Sequence, residues 1–175
     1  MKVICSLSAA AALLATILLA SLPDFAFGQP WQTYRSDEFG FQVEMPGTPG
    51  VETLDATTTT VTVDGGRLSF GVLYGNYHRS PPLPSEVEAY LDWVRPDLVK
   101  ALGVPDDAVS EKRIALNGFP GREIVVSTSG LHAIHRVVII GVQKIEFGVT
   151  SLEALETDPV AQHFLASFTL LRSAP

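Results

Sequence analysis

The chain predicts an α+β domain: an antiparallel sheet flanked by one helix on each face, an α/β/α sandwich. Three observations predict it. Alternating and β-branched runs recur from Phe39 to Val149, separated by Gly, Pro and Asn turn signals. Two helical apolar stripes interrupt or follow them, one in the middle of the chain and one near its end. Finally, Ile124-Val125-Val126 and Val137-Val138-Ile139-Ile140 are apolar on both parities, and strands buried on both faces need cover on both sides.

Phe39, Phe41 and Val43 alternate with polar neighbours and end at the Pro/Gly loop Met45 to Gly50, which predicts a short first strand. Thr57 to Val63 is almost wholly β-branched. Leu68, Phe70, Val72 and Tyr74 then share one face of a strand over Arg67 to Tyr74. Asp64-Gly65-Gly66 joins these two as a hairpin turn, glycine supplying the positive φ that the strand twist requires.

Gly75 to Pro84 reads as a loop. Ser85 with Glu88 three residues on predicts a capping box and a helix over 85–102, its stripe formed by Val87, Leu91, Val94, Leu98 and Leu102. Pro96 falls opposite that stripe and is expected to bend the helix. Gly103 and Pro105 close it. A meander follows, with strands over Ser110 to Leu116, Arg122 to Thr128 and Leu131 to Ile140. Asn117 to Gly121 forms the first connection and Ser129-Gly130 the second. Gly141-Val142 is a two-residue turn into Ile145, Phe147 and Val149. Asp158 caps the second helix, expected over 158–167, with Pro159 at its first position. Its stripe is Val160, Ala161, Phe164, Leu165 and Phe168, and Thr169-Leu170-Leu171 adds a last short strand.

Ahead of this domain, Lys2 is followed by an uncharged, Ala- and Leu-rich run to Leu22, a break at Pro23 and small residues at Ala26 and Gly28. That order is an export signal, 1–28, with cleavage expected after Gly28 and a mature chain starting at Gln29. The protein is therefore expected outside the cytoplasm, periplasmic or extracellular. Retained, the same run of about twenty uncharged residues would anchor it to a membrane; the breaker and the small residues favour cleavage. What remains, about 147 residues spanning 29–175, suits one domain with its own core.

The composition excludes several classes. Cys5, in the leader, is the chain's one cysteine, so the mature domain has no disulfide, thiol nucleophile or thiolate ligand. The formal charge of −7, with Arg and Lys scattered, argues against nucleic acid as a partner, because phosphate backbones need a clustered basic face. There is no G-x-S-x-G elbow, P-loop or H-E-x-x-H helix, and Asp106-Asp107 lacks the alternating oxygens and glycine of a calcium loop.

Three segments carry a resemblance. They are Gly40-Phe41-Gln42-Val43-Glu44-Met45-Pro46-Gly47, Asn117-Gly118-Phe119-Pro120-Gly121-Arg122-Glu123, and Phe164-Leu165-Ala166-Ser167-Phe168. In that order they resemble the PsbP-like fold, shared by extrinsic proteins of photosystem II, a nuclear-import cofactor that binds the Ran GTPase, and exported bacterial proteins of the DcrB type. The resemblance implies a small α/β/α sandwich that acts as a binding or assembly factor. It carries no functional residue to this chain, since the three segments are turns and core faces.

The candidate contact residues are Tyr77, His78 and Arg79, in the longest loop with recognition chemistry, and Trp93, which lies off the stripe of its helix. The plain alternatives are a solvated loop and a tryptophan folded over the helix flank. The Pro81 to Pro84 stretch matches a polyproline recognition pattern but reads as a stiffener. His132 and His135 stand three apart on a strand, hence on opposite faces, which does not make a metal site. Arg122 and Glu123 read as a solvent-facing hairpin cap. The expectation is a non-catalytic, cofactor-free exported protein that binds a protein partner in the envelope. The alternatives are a carrier of a small apolar ligand and a hydrolase using Ser, His and carboxylate.

Overall fold

The structure, a computed structural model, describes residues 30–77, 80 and 82–172. The export signal and its cleavage point lie outside the described residues, as do His78, Arg79 and Pro81. In chain order the elements are β1 (Trp31–Ser36), β2 (Phe41–Pro46), β3 (Gly50–Thr53), β4 (Thr58–Asp64) and β5 (Leu68–Asn76), then α1 (Pro84–Leu102). After a 3-10 turn at Asp106–Ala108 come β6 (Val109–Leu116), β7 (Phe119–Ser127), β8 (His132–Ile140), β9 (Gln143–Ser151), α2 (Pro159–Ser167) and β10 (Thr169–Leu170).

The strands form two sheets. Seven pair in the order β3-β4-β5-β9-β8-β7-β6, and β1-β2-β10 form a smaller sheet; all pairings are antiparallel. Sequence reading expected one sheet without β1 or β3. Both strands are largely solvent-facing, so neither shows the apolar alternation that marks a buried strand. At the far edge of the large sheet, β6 carries Glu111-Lys112-Arg113, charges that guard an open edge against unwanted pairing.

The turns follow local chemistry. Asp64 Oδ1 accepts from Gly66 N at 2.9 Å, and Gly66 takes φ 78°. The β6–β7 connection is tighter than expected: Asn117 and Gly118, with φ 49° and 86°, are the whole turn, and β7 starts at Phe119. Gly121 is therefore inside a strand. A Cβ there would come within 2.3 Å of the Val137 carbonyl oxygen, so the β7–β8 approach demands glycine.

Both helices have identifiable starts. Asp158 Oδ1 accepts from Val160 N and Ala161 N, each at 2.9 Å, with Pro159 at the first helical position. Helix α1 begins one residue earlier than its capping box predicted. Pro84 takes the first position, and Glu86, not Glu88, reaches back to accept from Leu83 N at 2.6 Å. Leucine has no acceptor to return, so half of the box forms. Gly103 ends α1 at φ 64°, donating to Val99 O at 3.0 Å. Pro96 is accommodated on the exposed side of one continuous helix.

Two hydrophobic clusters hold these elements. Leu91, Val94 and Leu98 of α1 pack with Ile124, Val126, Ala133, Val137 and Ile139. Ala161, Phe164 and Leu165 of α2 belong to a larger cluster with Phe41, Phe70, Ile134, Val138, Ile140 and Phe147. Residues of β8 divide between the clusters by parity, because successive strand side chains point to opposite faces. Phe168, just past α2, stacks on Phe147 at 3.9 Å between centroids and on Phe41 at 5.5 Å, joining the large sheet to the small one. Each large side chain so buried contributes about 1.5–3 kcal/mol. No helix among the described residues is long and apolar enough to cross a membrane.

Candidate functional site

Helix α1 positions Trp93 by arithmetic. Leu91, Val94 and Leu98 face the sheet, and at 100° per residue Trp93 points away from all three. It is 64% exposed, with Ala89 and Pro96 on its stripe also open to water. The tryptophan is not folded over the helix flank.

Tyr77 behaves differently. Its backbone N donates to Val142 O at 2.9 Å, and its ring lies 4.7 Å from that of Tyr90 on α1. Tyr77 is thus half-buried at the seam between α1 and the sheet. It is tied to the helix one turn before Trp93 and is part of the support of that surface more than of the surface itself.

Below Tyr90 lies a group of buried charges. Lys144 Nζ is 5.9 Å from the Tyr90 ring centre and 2.6 Å from Glu146 Oε1, and His135 Nε2 is 3.4 Å from Glu146 Oε2. His135 and Glu146 are 2% and 1% exposed. Gly148 makes room for the imidazole, since a Cβ there would lie 3.2 Å from His135 Nδ1 and 2.6 Å from Ile134 O. Burial alone would raise the Glu146 carboxyl, but Lys144 and then His135 outweigh it and hold it down to about 2. Burial would likewise lower Lys144, and Glu146 reverses that and raises it. Both groups are fully ionised at neutral pH, so neither is tuned for proton transfer there.

His132 sits at the start of β8 beside Ser127 Oγ at 3.2 Å and does not converge with His135. Among the described residues no three His, Cys, Asp or Glu side chains gather as a metal site.

Arg122 and Glu123 correct the sequence reading: they do not face solvent. As neighbours on β7 they point to opposite faces, and both are buried. Arg122, 2% exposed, reaches toward α1. Its Nη2 lies 2.9 Å from Glu88 Oε2 and 2.6 Å from Asp92 Oδ1, and its Nε 2.8 Å from Glu111 Oε1. Glu123 accepts from Arg136 Nε at 2.6 Å and pairs with Lys112 Nζ at 2.6 Å; Arg136 Nη1 donates in turn to Leu165 O of α2 at 3.0 Å. Burial pushes the Glu123 carboxyl up, and Lys112 and Arg136 together hold it below the usual range. Buried Arg122 therefore fastens α1 to the sheet, and Arg136, held by Glu123, fastens α2. Sequence inspection misses this because the partners lie 11 to 34 residues apart.

These elements define an α+β domain built on a large antiparallel sheet with two helices, a small accessory sheet and one exposed tryptophan on a charge-fastened helix. The fold is PsbP-like. The solution structure of cyanobacterial PsbP (CyanoP) from Synechocystis sp. PCC 6803 matches it with a TM-score of 0.55 at 10% sequence identity, over 87% of this chain and 98% of that one. At that identity the likeness is one of fold. No protein-family model matches the chain, and no curated protein matches it by sequence.

Proposed function

We propose that the protein is an exported, non-catalytic accessory or assembly factor of the cell envelope, and that it contacts a protein partner through the outer face of α1. The observation that carries this reading is Trp93: a large aromatic left open on a helix whose own core stripe is complete. Aromatic side chains dominate interface energetics when a partner buries them, and a helix that is firmly seated presents them without further ordering cost. The PsbP-like fold supports an accessory role. The division of β8 between two clusters supports a three-layer arrangement with α1 and α2 on opposite faces, which leaves the outer face of α1 free. His78 and Arg79, next to Tyr77, belong to the same proposed contact. The leader sequence supports export, with the mature chain starting at Gln29.

The test is cross-linking of the tagged protein in its native envelope, with Trp93→Ala run in parallel. The reading expects a defined cross-linked species that the substitution depletes while the melting temperature stays within about 1 °C of the parent, as for a surface change. Loss of stability with unchanged cross-linking would make Trp93 a packing residue and end the proposal.

A further inference from the structure

We propose that His163 is a pH-sensitive clamp on the first strand of the domain, drawing the start of β1 onto α2 when its imidazole is protonated.

Strand β1 has one ladder partner, β2, in the small sheet. Besides Gln32 Nε2, which donates to Thr48 Oγ1 at 3.2 Å, side chains tie it to the molecule near both of its ends. Toward its Ser36 end, Tyr34 and Tyr74 share a hydrogen bond of 2.7 Å between hydroxyls. At its Trp31 end, the indole lies 4.2 Å from the His163 ring, tilted 49°, and turns an edge to Phe70 at 6.4 Å. The same imidazole places Nε2 2.6 Å from Glu44 Oε2 on β2. One half-exposed side chain of α2 thus touches β1 through its ring face and β2 through its ring nitrogen. Glu44 is held in place independently, its backbone N donating to Ser167 Oγ at the end of α2, 3.0 Å away.

The chemistry of those contacts changes with one proton. A neutral imidazole protonated on Nε2 gives the Glu44 carboxylate a hydrogen bond with charge on one side only, and Trp31 a ring contact. An imidazolium gives Glu44 a hydrogen-bonded ion pair and sets a cation against the indole. Histidine is the side chain that ordinarily changes charge between about pH 5 and 8. The other charged groups packed around α2 are already committed. Asp158 at its N-terminus caps the helix and pairs with Arg67 Nη2 at 2.6 Å. Arg136 from β8 holds Glu123 and the Leu165 carbonyl. Strand β9 presents apolar Phe147 and Val149 to this cluster. Glu44 is the carboxylate in contact with the ring, so protonation strengthens both contacts at once, and the start of β1 is held more firmly as pH falls.

Trp31 reports on the clamp directly. Trp93→Phe leaves it as the chain's one tryptophan, and a protonated imidazole in contact with indole quenches its emission. In the purified Trp93→Phe protein, the proposal expects Trp31 emission to fall reversibly between pH 8 and pH 5. Adding His163→Gln should abolish that fall. The melting temperature lost to His163→Gln should be larger at pH 5 than at pH 8. An emission profile unchanged by His163→Gln, or a melting difference equal at the two pH values, overturns the clamp. Because His163 is half-exposed, its glutamine variant keeps the fold and the comparison stays readable.

Discussion

Arg122 Nη2 and Asp92 Oδ1 stand 2.6 Å apart, the guanidinium sealed beneath α1 and the carboxylate open to water beside Trp93. The pair fastens the helix that carries the exposed tryptophan. With Glu88 and Glu111 it surrounds one buried cation with three carboxylates. Burial costs Arg122 hydration, and Glu88 and Asp92 outweigh that cost and raise its pKa.

Arg122→Ala should therefore destabilise the protein by about 3 kcal/mol. It removes buried aliphatic stem as well as charge and leaves three carboxylates to repel one another. Arg122→Lys should lose less, because it keeps the charge but not the fork that reaches three partners. Urea unfolding checks both: the midpoint should fall in that order with the slope unchanged.

Acid should weaken the fold through Glu146. Its carboxyl is held down to about 2 in the folded state, below its ordinary range in the unfolded chain. Its contribution is therefore present above the unfolded value and lost as pH falls through about 4.5 toward 2. Glu123 and Asp158, also lowered, act in the same direction. Glu146→Gln should reduce stability at neutral pH, since it strands the buried Lys144 cation, and should flatten the acid limb of a stability–pH curve. An acid limb as steep as the parent's would show that other carboxylates carry it.

Asn117 pins the segment that follows α2. Its Nδ2 donates to Leu170 O at 2.8 Å and to Arg172 O at 3.3 Å, next to the Leu171 N to Gly40 O bond that seats β10. Asn117→Asp tolerates the same positive φ but turns a donor into a carboxylate facing two carbonyls. It should cost about 1–3 kcal/mol. Hydrogen exchange at Leu171 should quicken more than exchange in β8.

Both helices and most hairpins were legible because their signals are local: Asp158 before Pro159, Gly103 after a stripe, Gly65-Gly66 and Gly141 in turns. The Ser85–Glu88 box misplaced α1 by one residue because Pro84 can itself open a helix, and Glu86 is then the residue positioned to reach Leu83. Strand β3 was hidden by Pro46 and Pro49, whose loop signal is stronger than four exposed strand residues. The outward aim of Trp93 followed from helical geometry. The Lys144, Glu146 and His135 group did not, since it depends on the β8–β9 register, and neither did the burial of Arg122 and Glu123. Two adjacent charges near a turn look solvent-facing until the strands and helix that enclose them are assembled.

The central claim is that a protein partner covers Trp93. The most direct measurement places a photo-crosslinking side chain at position 93, with a second at Gln162 on the exposed side of α2 as the control, and irradiates each in the native envelope. The account predicts a defined protein adduct from position 93 and none from 162. No adduct at 93, or the same adducts from both positions, would contradict it.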